Sequence, residues 1–337
     1  MNTRIRLGVA VALVSAAAAG FFPMAAAQAA DVEVRIARQF GIGYLPTMVM
    51  EQKKLLEKYA KKRGVDNVKT KWIQLSNAAS MNDALLSGNL DFASGALTAA
   101  IISWDKTAGS PSELRAVSGE SVIPFTLFTN NPRIKSIRDF KAGDQIALPA
   151  VKVTTYAILL QMEAAKEFGE KNFNKLDPLT VSMAHPDAMQ ALFSKQITAH
   201  FTWPPYAYAE AEHAGNHKVL DSTQILDGQP MSSTVIWGRK KFHDEHPQVY
   251  LAFVDAMREA IAYIKNNKAA AAKIYKEQTH SKEPIEAILN DPHVTFDLAP
   301  HDTMKFATFL HKIGTIKHQP ASWKDVFFPE AHDLDGS

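Results

Sequence analysis

A strand–loop–helix pattern at residues 145–161 carries the side chains best suited to hold an anion. The apolar run 146–148 predicts a strand, and apolar residues recur at helical spacing after Thr154. Lys152, Thr154 and Thr155 fall between the two, where the first helical turn leaves backbone N–H groups unpaired and partly positive. A helix start beside a lysine is typical of an anion site. A solvated lysine followed by a threonine N-cap fits the same residues equally well.

Three side chains after the first predicted strand could line a pocket. The alternating run 32–37 predicts that strand, and a helix is predicted at 47–59. Glycines at 41 and 43 let the backbone of the intervening loop approach a ligand closely. Gly-x-Gly after a strand also begins the dinucleotide-binding fingerprint, but Pro46 occupies the third glycine position and excludes it. The candidates are Gln39, Phe40 and Tyr44, although the two rings could equally serve packing.

A tryptophan is the last residue of the predicted strand 197–203, which the double proline at 204–205 halts. Trp203 therefore falls at the carboxyl end of a predicted strand, where open parallel sheets place their ligands. A buried core tryptophan is an equally good interpretation. Upstream, His185 stands at the start of another predicted helix, for which Asp187 is the expected N-cap.

Strands and helices alternate in the first third of the chain. A second strand is predicted at 68–75, followed by a helix in which Ser80 and Asp83 have the spacing of a capping box. A third strand at 90–93 precedes another loop and helix. Repeated strand–helix–strand units predict a parallel sheet covered by helices, so the fold class is α/β.

The organisation into lobes follows from two β-rich runs, 122–128 and 232–237, which we interpret as paired crossovers. The segment between these runs repeats a pattern from the first part of the chain. Residues 84–88 and residues 191–195 have similar sequences, and a predicted strand follows each of them. The echo predicts two facing α/β lobes that aim helix N-termini into one cleft. The apolar end, 323–329, is expected to dock against the first lobe. The predicted lobes are residues 30–123 with 236–337 (lobe 1) and residues 124–235 (lobe 2, inserted).

Residues 1–29 have the features of a secretion signal peptide. Arg4 and Arg6 precede the apolar run 7–22, and residues 27–29 form an A-x-A cleavage site. The apolar run is short and alanine-rich, which argues against a membrane anchor. The absence of cysteine removes both a thiol for lipid attachment and any disulfide. We therefore expect an exported protein, free in solution, in a Gram-negative periplasm.

Composition excludes several classes of function. The chain is 46% hydrophobic, and its net charge of +2 falls to zero without the two arginines of the leader, so no nucleic-acid-binding basic face is expected. None of the twelve histidines has zinc-helix spacing, and 243–246 reads as a surface loop. Nucleophile-elbow and phosphate-loop motifs are absent from the sequence. We expect no metal and no cofactor, and an enzyme only through scattered residues that spacing does not reveal.

Seven motifs together carry a resemblance to a known family. They are GIGYLP, MNDALLSGNLDFASG, SWDKT, IALPAVKVTTYAILLQM, HPDA, ITAHFTWPP and SWKDVFFPE. Their order and spacing resemble the solute-binding proteins of bacterial ABC importers, in the branch that handles nitrate, taurine and alkanesulfonates. The resemblance covers nearly the whole mature chain. It implies a type II periplasmic-binding-protein fold, in which two crossover strands join two α/β lobes and the ligand lies in the cleft.

The resemblance also implies a ligand class and partners. The ligand would be a small organic anion such as a sulfonate, a nitrate- or taurine-like solute or an aromatic acid, and a monomer would deliver it to an ABC permease and ATPase. A thiamine-pyrimidine-synthase-like enzyme, or a precursor-binding protein on the same fold, is the alternative, although those synthases carry a cysteine-rich motif that this chain lacks. The substitution Lys152→Ala is expected to weaken binding of the anion roughly tenfold to hundredfold. The implied ligand contacts are Gln39, Phe40, Tyr44, Asn77, Ser80, Ala96, Lys152, Thr154, Thr155, His185 and Trp203.

Overall fold

The structure is a computed structural model that describes residues 31–76 and 78–337. The expected signal peptide, residues 1–29, and the candidate contact Asn77 lie outside the described residues. Within the described part, the strands form two five-stranded mixed sheets. The strands are β1 Val32–Arg38, β2 Val68–Gln74, β3 Phe92–Gly95, β4 Leu114–Ser121, β5 Thr126–Thr129, β6 Ile146–Leu148, β7 Thr180–Ser182, β8 Ala199–Thr202, β9 His217–Asp221 and β10 Thr234–Arg239.

The two sheets have the same arrangement of strands. In the first, with the order β2-β1-β3-β10-β4, β1 pairs in parallel with β2 and β3, and β10 runs antiparallel to β3 and β4. In the second, with the order β7-β6-β8-β5-β9, β6 pairs in parallel with β7 and β8, and β5 runs antiparallel to β8 and β9. This repeated topology agrees with the echo between the two parts of the sequence.

Helices pack on both sheets, and each sheet with its helices is called a lobe below. The first lobe contains α1 Leu45–Gln52, α2 Leu55–Lys62, α3 Ala78–Leu86, α4 Leu97–Thr107, α9 Lys240–Glu245, α10 Pro247–Asn266, α11 Lys268–Thr279, α12 Ile285–Asn290 and α13 Thr303–Lys312. The second lobe contains α5 Thr155–Phe168, α6 His185–Phe193, α7 Tyr206–Glu212 and α8 Ser222–Ile225.

The longest helix shows how the sequence period fixes packing. In α10, Val249, Phe253 and Met257 recur every four residues and are all buried. Phe253 stacks on Phe92 of β3, with ring centroids 4.1 Å apart. The amphipathic stripe of α10 therefore anchors this helix to the first sheet. None of the helices in the described part of the chain is long and apolar enough to cross a membrane.

Several element boundaries differ from the sequence-based predictions. The helix predicted at 47–59 is two helices, α1 and α2, because Lys54 adopts a left-handed conformation with φ 50° and interrupts the helical hydrogen-bond ladder. Asp187 is not a cap, since α6 already begins at His185 with Ala184 as its N-cap residue. Ser80 lies inside α3, so the predicted capping box is also wrong. The third strand begins two residues later than predicted.

The chain passes between the sheets twice. It leaves the first sheet after β4 and enters the second at β5, through residues 122–125, and it returns from β9 to β10 through 222–233. The run predicted as one strand at 122–128 is split, and Pro124, which has no N–H to donate to a ladder, lies in the gap.

The C-terminal segment covers the edge strand of the first sheet. Phe327 forms a parallel bridge with Ala116 of β4, whose N–H also donates to the carbonyl of Val326 over 2.9 Å. Trp323 and Phe327 pack edge to face with centroids 5.4 Å apart. The predicted docking of 323–329 on the first lobe is confirmed.

Candidate ligand-binding site

Trp203 joins the two lobes at the ends of their central strands. It follows β8 of the second lobe, and its ring lies against the loop after β1 of the first lobe. A Cβ added to Gly41 or Gly43 would come within 2.3 Å of the indole ring, so only glycine leaves room for it. The indole N–H donates to the carbonyl of Phe40 over 3.3 Å. Trp203 is 2% exposed, so this contact is buried.

Other aromatic rings surround Trp203 from both lobes. Tyr44 of the first lobe meets it edge to face at 5.3 Å, and Phe125 of the first crossing segment meets it at 5.7 Å. Tyr156, on α5, stacks on Phe125 at 3.9 Å. The result is one aromatic cluster to which both lobes contribute, and it is the natural wall for an apolar or aromatic part of a ligand.

Backbone and hydroxyl groups also bridge the lobes. The Thr98 hydroxyl, near the start of α4, donates to the carbonyl of Val153 in the loop before α5 over 2.9 Å. The N–H of Ile42 donates to the carbonyl of Pro204 over 3.1 Å. Thr155 lies 3.4 Å from Thr98, hydroxyl to hydroxyl. The helix starts of α4 and α5 therefore face each other across the contact between the lobes.

A buried acid lies at the same edge of the first sheet. Glu120 is near the carboxyl end of β4. Strand β10 lies between β3 and β4 and is antiparallel to both, so β3 and β4 run in the same direction, and the Glu120 side chain meets Ser94 of β3. The Ser94 hydroxyl donates to Glu120 Oε2, whereas Oε1 has no partner among the described residues. Burial raises the pKa of Glu120 to about 8, so the carboxyl is mostly protonated at neutral pH. Sequence reasoning missed this residue because it did not identify β4.

Four side chains of the second lobe form a hydrogen-bonded row behind the aromatic cluster. The Tyr156 hydroxyl is 3.1 Å from His185 Nε2, and His185 Nδ1 is 2.8 Å from His200 Nε2. His200 Nδ1 is 2.6 Å from Glu210 Oε1. All four are buried. Of these, only His185 was a predicted contact, because the others carry no signal beyond their residue type.

A cavity of about 500 Å³ opens between the lobes beside this cluster. Phe40 and Gly41 line it from the first lobe, and Pro186 and Tyr206 line it from the second. The end of α11 and the residues that follow it, 278–283, close one side. The first turn of α6 begins at this cavity, so unpaired backbone N–H groups lie close to a space large enough for a small organic molecule.

The structure brings together some of the predicted contacts and separates others. Thr154 caps α5 by accepting the N–H of Ala157 over 3.4 Å. Lys152 is exposed, in the left-handed conformation with φ 68°, and its ammonium is near enough to Asp177 to lower the pKa of that carboxyl, although burial raises that pKa overall. Joined around the aromatic cluster and the cavity are Phe40, Tyr44, Thr155, His185 and Trp203.

The remaining predicted contacts have other surroundings. Gln39 is buried and places its amide nitrogen 3.7 Å from the sulfur of Met81. Ala96 is the N-cap residue of α4 and is buried, and Ser80 is half-buried within α3. In the described part of the chain, no three histidine or acidic side chains come together as a metal site. The 243–246 segment, predicted as a loop, lies largely in α9.

Comparison with protein families and known sequences gives two matches. A sequence profile of the NMT1-like family matches residues 27–276. The chain is also 22% identical over 275 residues to the "Putative aliphatic sulfonates-binding protein" of Bacillus subtilis (strain 168), a match that covers 81% of this chain and 78% of that protein.

Solved structures share the fold. The alkanesulfonate-binding protein SsuA from Xanthomonas axonopodis pv. citri, bound to MOPS, superposes with a TM-score of 0.69 at 14% identity, covering 89% of this chain and 99% of that chain. The periplasmic nitrate-binding protein NrtA from Synechocystis PCC 6803 gives a TM-score of 0.64 at 14% identity, covering 88% of this chain and 84% of that chain. The two-lobed α/β architecture is therefore that of periplasmic binding proteins.

Proposed function

The chain belongs to the NMT1-like family, and from this premise we propose that it is the substrate-binding component of an ABC importer for a small organic anion. The proposal is supported by the relatives named above, which bind aliphatic sulfonates or nitrate. We place the protein in the periplasm as an exported monomer that hands its solute to a membrane permease driven by an ATPase. Its role is to bind and release the solute without changing it.

The packing of Trp203 from the second lobe on Gly41 and Gly43 of the first carries this proposal. A contact made by both lobes exists only when the lobes are together, so a solute that adds contacts on both sides favours that arrangement. The two crossing segments, 122–125 and 222–233, are the hinge. The lobe bounds expected from the sequence, 30–123 with 236–337 and 124–235, fall close to these segments, although β10 already pairs with the first sheet from Thr234.

The site chemistry favours an anion with an apolar or aromatic part. The first turn of α6, whose Pro186 lines the cavity, offers partly positive backbone N–H groups there, whereas the Ala157 N–H at the start of α5 is already capped by Thr154. Phe40 and Tyr206 line the cavity with flat apolar surfaces, and the buried Trp203 ring packs against Tyr44 and His185. Lys152, which is exposed, attracts the anion at the rim of the cleft. Alkanesulfonates, nitrate-like anions and aromatic acids all fit this description.

A thermal-shift screen followed by calorimetry tests the proposal. The mature chain is screened against methanesulfonate, ethanesulfonate, taurine, nitrate, benzoate and aminopyrimidines, and a compound that binds the folded state raises the melting temperature. The Trp203→Phe variant should bind the same compound with a dissociation constant at least tenfold higher, because it loses ring area packed on Gly41 and Gly43 and the N–H bonded to the Phe40 carbonyl, and the closed arrangement becomes less stable.

A matched control is Trp72→Phe, since Trp72 lies on β2 at the far edge of the first sheet. Its affinity should equal that of the unaltered protein. Equal affinities for both variants would show that the solute binds elsewhere, and chemical turnover of the bound compound would favour the enzyme alternative.

A further inference from the structure

The row formed by Tyr156, His185, His200 and Glu210 is continuous and buried. Its members come from four elements of the second lobe, α5, α6, β8 and α7. Tyr156 and His185 are each 5% exposed, whereas His200 and Glu210 are 0% exposed. The three hydrogen bonds, of 3.1, 2.8 and 2.6 Å, link the phenol at one end to the carboxyl at the other.

The number of protons in the row fixes how its hydrogen bonds can run. Burial lowers the pKa of His200 to about 3 and lowers that of His185 well below its usual value, so both imidazoles are neutral. A neutral imidazole has one N–H donor and one acceptor nitrogen. Each ring therefore donates to one neighbour and accepts from the other. All three hydrogen bonds must consequently point the same way.

The carboxyl of Glu210 selects the direction. A carboxylate can only accept hydrogen bonds, so His200 must donate to Glu210 and His185 must donate to His200. The Tyr156 hydroxyl must then donate to His185. A carboxylic acid donates from Oε1 to His200 Nδ1, and the row reverses. His185 Nε2–H then donates to the phenol oxygen, and the O–H of Tyr156 is free.

Burial of Glu210 favours the acid form. It raises the pKa of this carboxyl well above its usual value, and Oε2 has no partner among the described residues. Titratable side chains on the neighbouring elements bond or stack elsewhere or lie on the surface. Around α7, Tyr208 bonds to Asp291, His213 stacks on Phe193 and Glu212 is exposed. On α6, Asp187 is exposed. On β9, His217 bonds to the carbonyl of Ile134 and Lys218 bonds to Asp221.

The phenol end of the row faces the cluster between the lobes. Tyr156 stacks on Phe125. Burial raises the pKa of Tyr156 well above its usual value, and the nearby phenol of Tyr44, in the first lobe, raises it further. His185 stacks on Tyr206, which lines the cavity between the lobes, with centroids 5.6 Å apart. The reversed row leaves the hydroxyl hydrogen without an acceptor inside the row, at the end that lies nearest the aromatic cluster between the lobes.

We propose that Glu210, acting through His200 and His185, is a positioning residue that turns the Tyr156 hydroxyl into a donor for an anionic oxygen of the bound solute. The inference rests on the proposed function, because it assigns the Tyr156 hydroxyl as a hydrogen-bond donor to the anion that binds in the same cleft. Sulfonates and carboxylates both offer such an oxygen.

The change of direction takes up one proton in total. A proton from cleft water binds the phenol oxygen while Tyr156 passes its own to His185 Nε2. His185 passes its Nδ1 proton to His200 Nε2, and His200 passes its Nδ1 proton to Glu210 Oε1. The three intermediate groups keep their proton counts. An anion that needs the free O–H therefore binds with uptake of one proton wherever Glu210 is ionised in the free protein, and its affinity falls about tenfold per pH unit there.

Nitrogen-15 NMR of the imidazoles in the full mature chain tests the row without any solute, since the nitrogen shifts separate the two neutral tautomers from the cation. Between about pH 5 and 9, both rings should be neutral and should share one tautomer, Nε2–H while Glu210 is protonated. If Glu210 ionises within this range, both should switch together to Nδ1–H. Glu210→Gln, whose amide does not ionise, should hold both rings in one shared tautomer at every pH. Glu212→Gln, an exposed change on the same helix, should behave like the unaltered protein.

Opposite tautomers on the two rings, a cationic ring in this range, or Nδ1–H on both rings at every pH would overturn the proposal. Calorimetry with ethanesulfonate provides the second readout. Tyr156→Phe should raise the dissociation constant about tenfold, and Glu210→Gln should abolish proton uptake measured in two buffers of different ionisation enthalpy. Unchanged affinity in Tyr156→Phe would overturn the donor role. Failure of every anion to bind, with the tautomers as expected, would instead count against the proposed function.

Discussion

At the scale of single residues, Glu120 couples the stability of the fold to pH. Its pKa is about 8 in the folded chain against an ordinary value of 4.5, because burial disfavours the carboxylate. The folded state therefore keeps a proton that the unfolded state loses between these values. The stabilisation is complete below pH 4.5 and is lost as the pH rises through about 8, at a cost of up to about 5 kcal/mol.

The Glu120→Gln variant should remove this dependence, because an amide of the same shape does not ionise. Relative to the variant, the unaltered protein should lose free energy of unfolding steadily from pH 4.5 to 8. Urea titrations at a series of pH values measure the difference, and other titrating groups cancel because both proteins contain them. Parallel stability curves would mean that Glu120 ionises normally.

Lys152 also belongs to this scale, and its position changes the expected effect. The tenfold to hundredfold loss expected from the sequence assumed a desolvated ammonium, whereas the side chain is exposed. An exposed charge pair contributes about 0.2 to 1 kcal/mol, so Lys152→Ala should raise the dissociation constant for an anion at most about fivefold. Lys195→Ala is a matched control, because Lys195 is also exposed and left-handed, with φ 60°. A loss above tenfold in calorimetry would place Lys152 inside the closed site.

At the scale of elements, the loop after β1 and the residue after β8 depend on each other. Gly43→Ala would place a methyl group 2.3 Å from the Trp203 ring and 2.7 Å from the Ser121 hydroxyl. Such overpacking should lower the free energy of unfolding by about 1 to 3 kcal/mol. In a Trp203→Ala background the same change should cost less, because only the contact with the Ser121 hydroxyl remains. Equal costs in the two backgrounds, from denaturant titrations, would show that the contact between the lobes does not form.

Element types were largely predictable, whereas left-handed residues and distant strand partners were not. The double proline after β8 and the glycines after β1 marked the two halves of the Trp203 contact in the sequence. The break at Lys54 had no such mark, because a lysine in the left-handed region looks like any other lysine. Glu120 could not be recognised from the sequence because β4 pairs with β10, more than a hundred residues away, and β10 in turn places β4 near β3 and Ser94.

At the scale of the whole molecule, the fold repeats one α/β unit and uses the repeat to form a site. Both sheets place the carboxyl ends of their parallel strands at the same boundary, so loops from each lobe meet there. The two crossing segments keep the lobes in one chain while allowing them to separate. In the function proposed above, the binding energy of the solute drives the change of shape between the two arrangements.

The distance between the lobes tests this account most directly. The sequence has no cysteine, so Lys61→Cys on α2 and Lys171→Cys after α5, both exposed, accept spin labels selectively. The most stabilising compound of the anion screen should shift the distance distribution to shorter, narrower values, and Trp203→Ala should reduce that shift. Calorimetric binding of the compound with no change in the distribution would contradict a function based on closure of the two lobes.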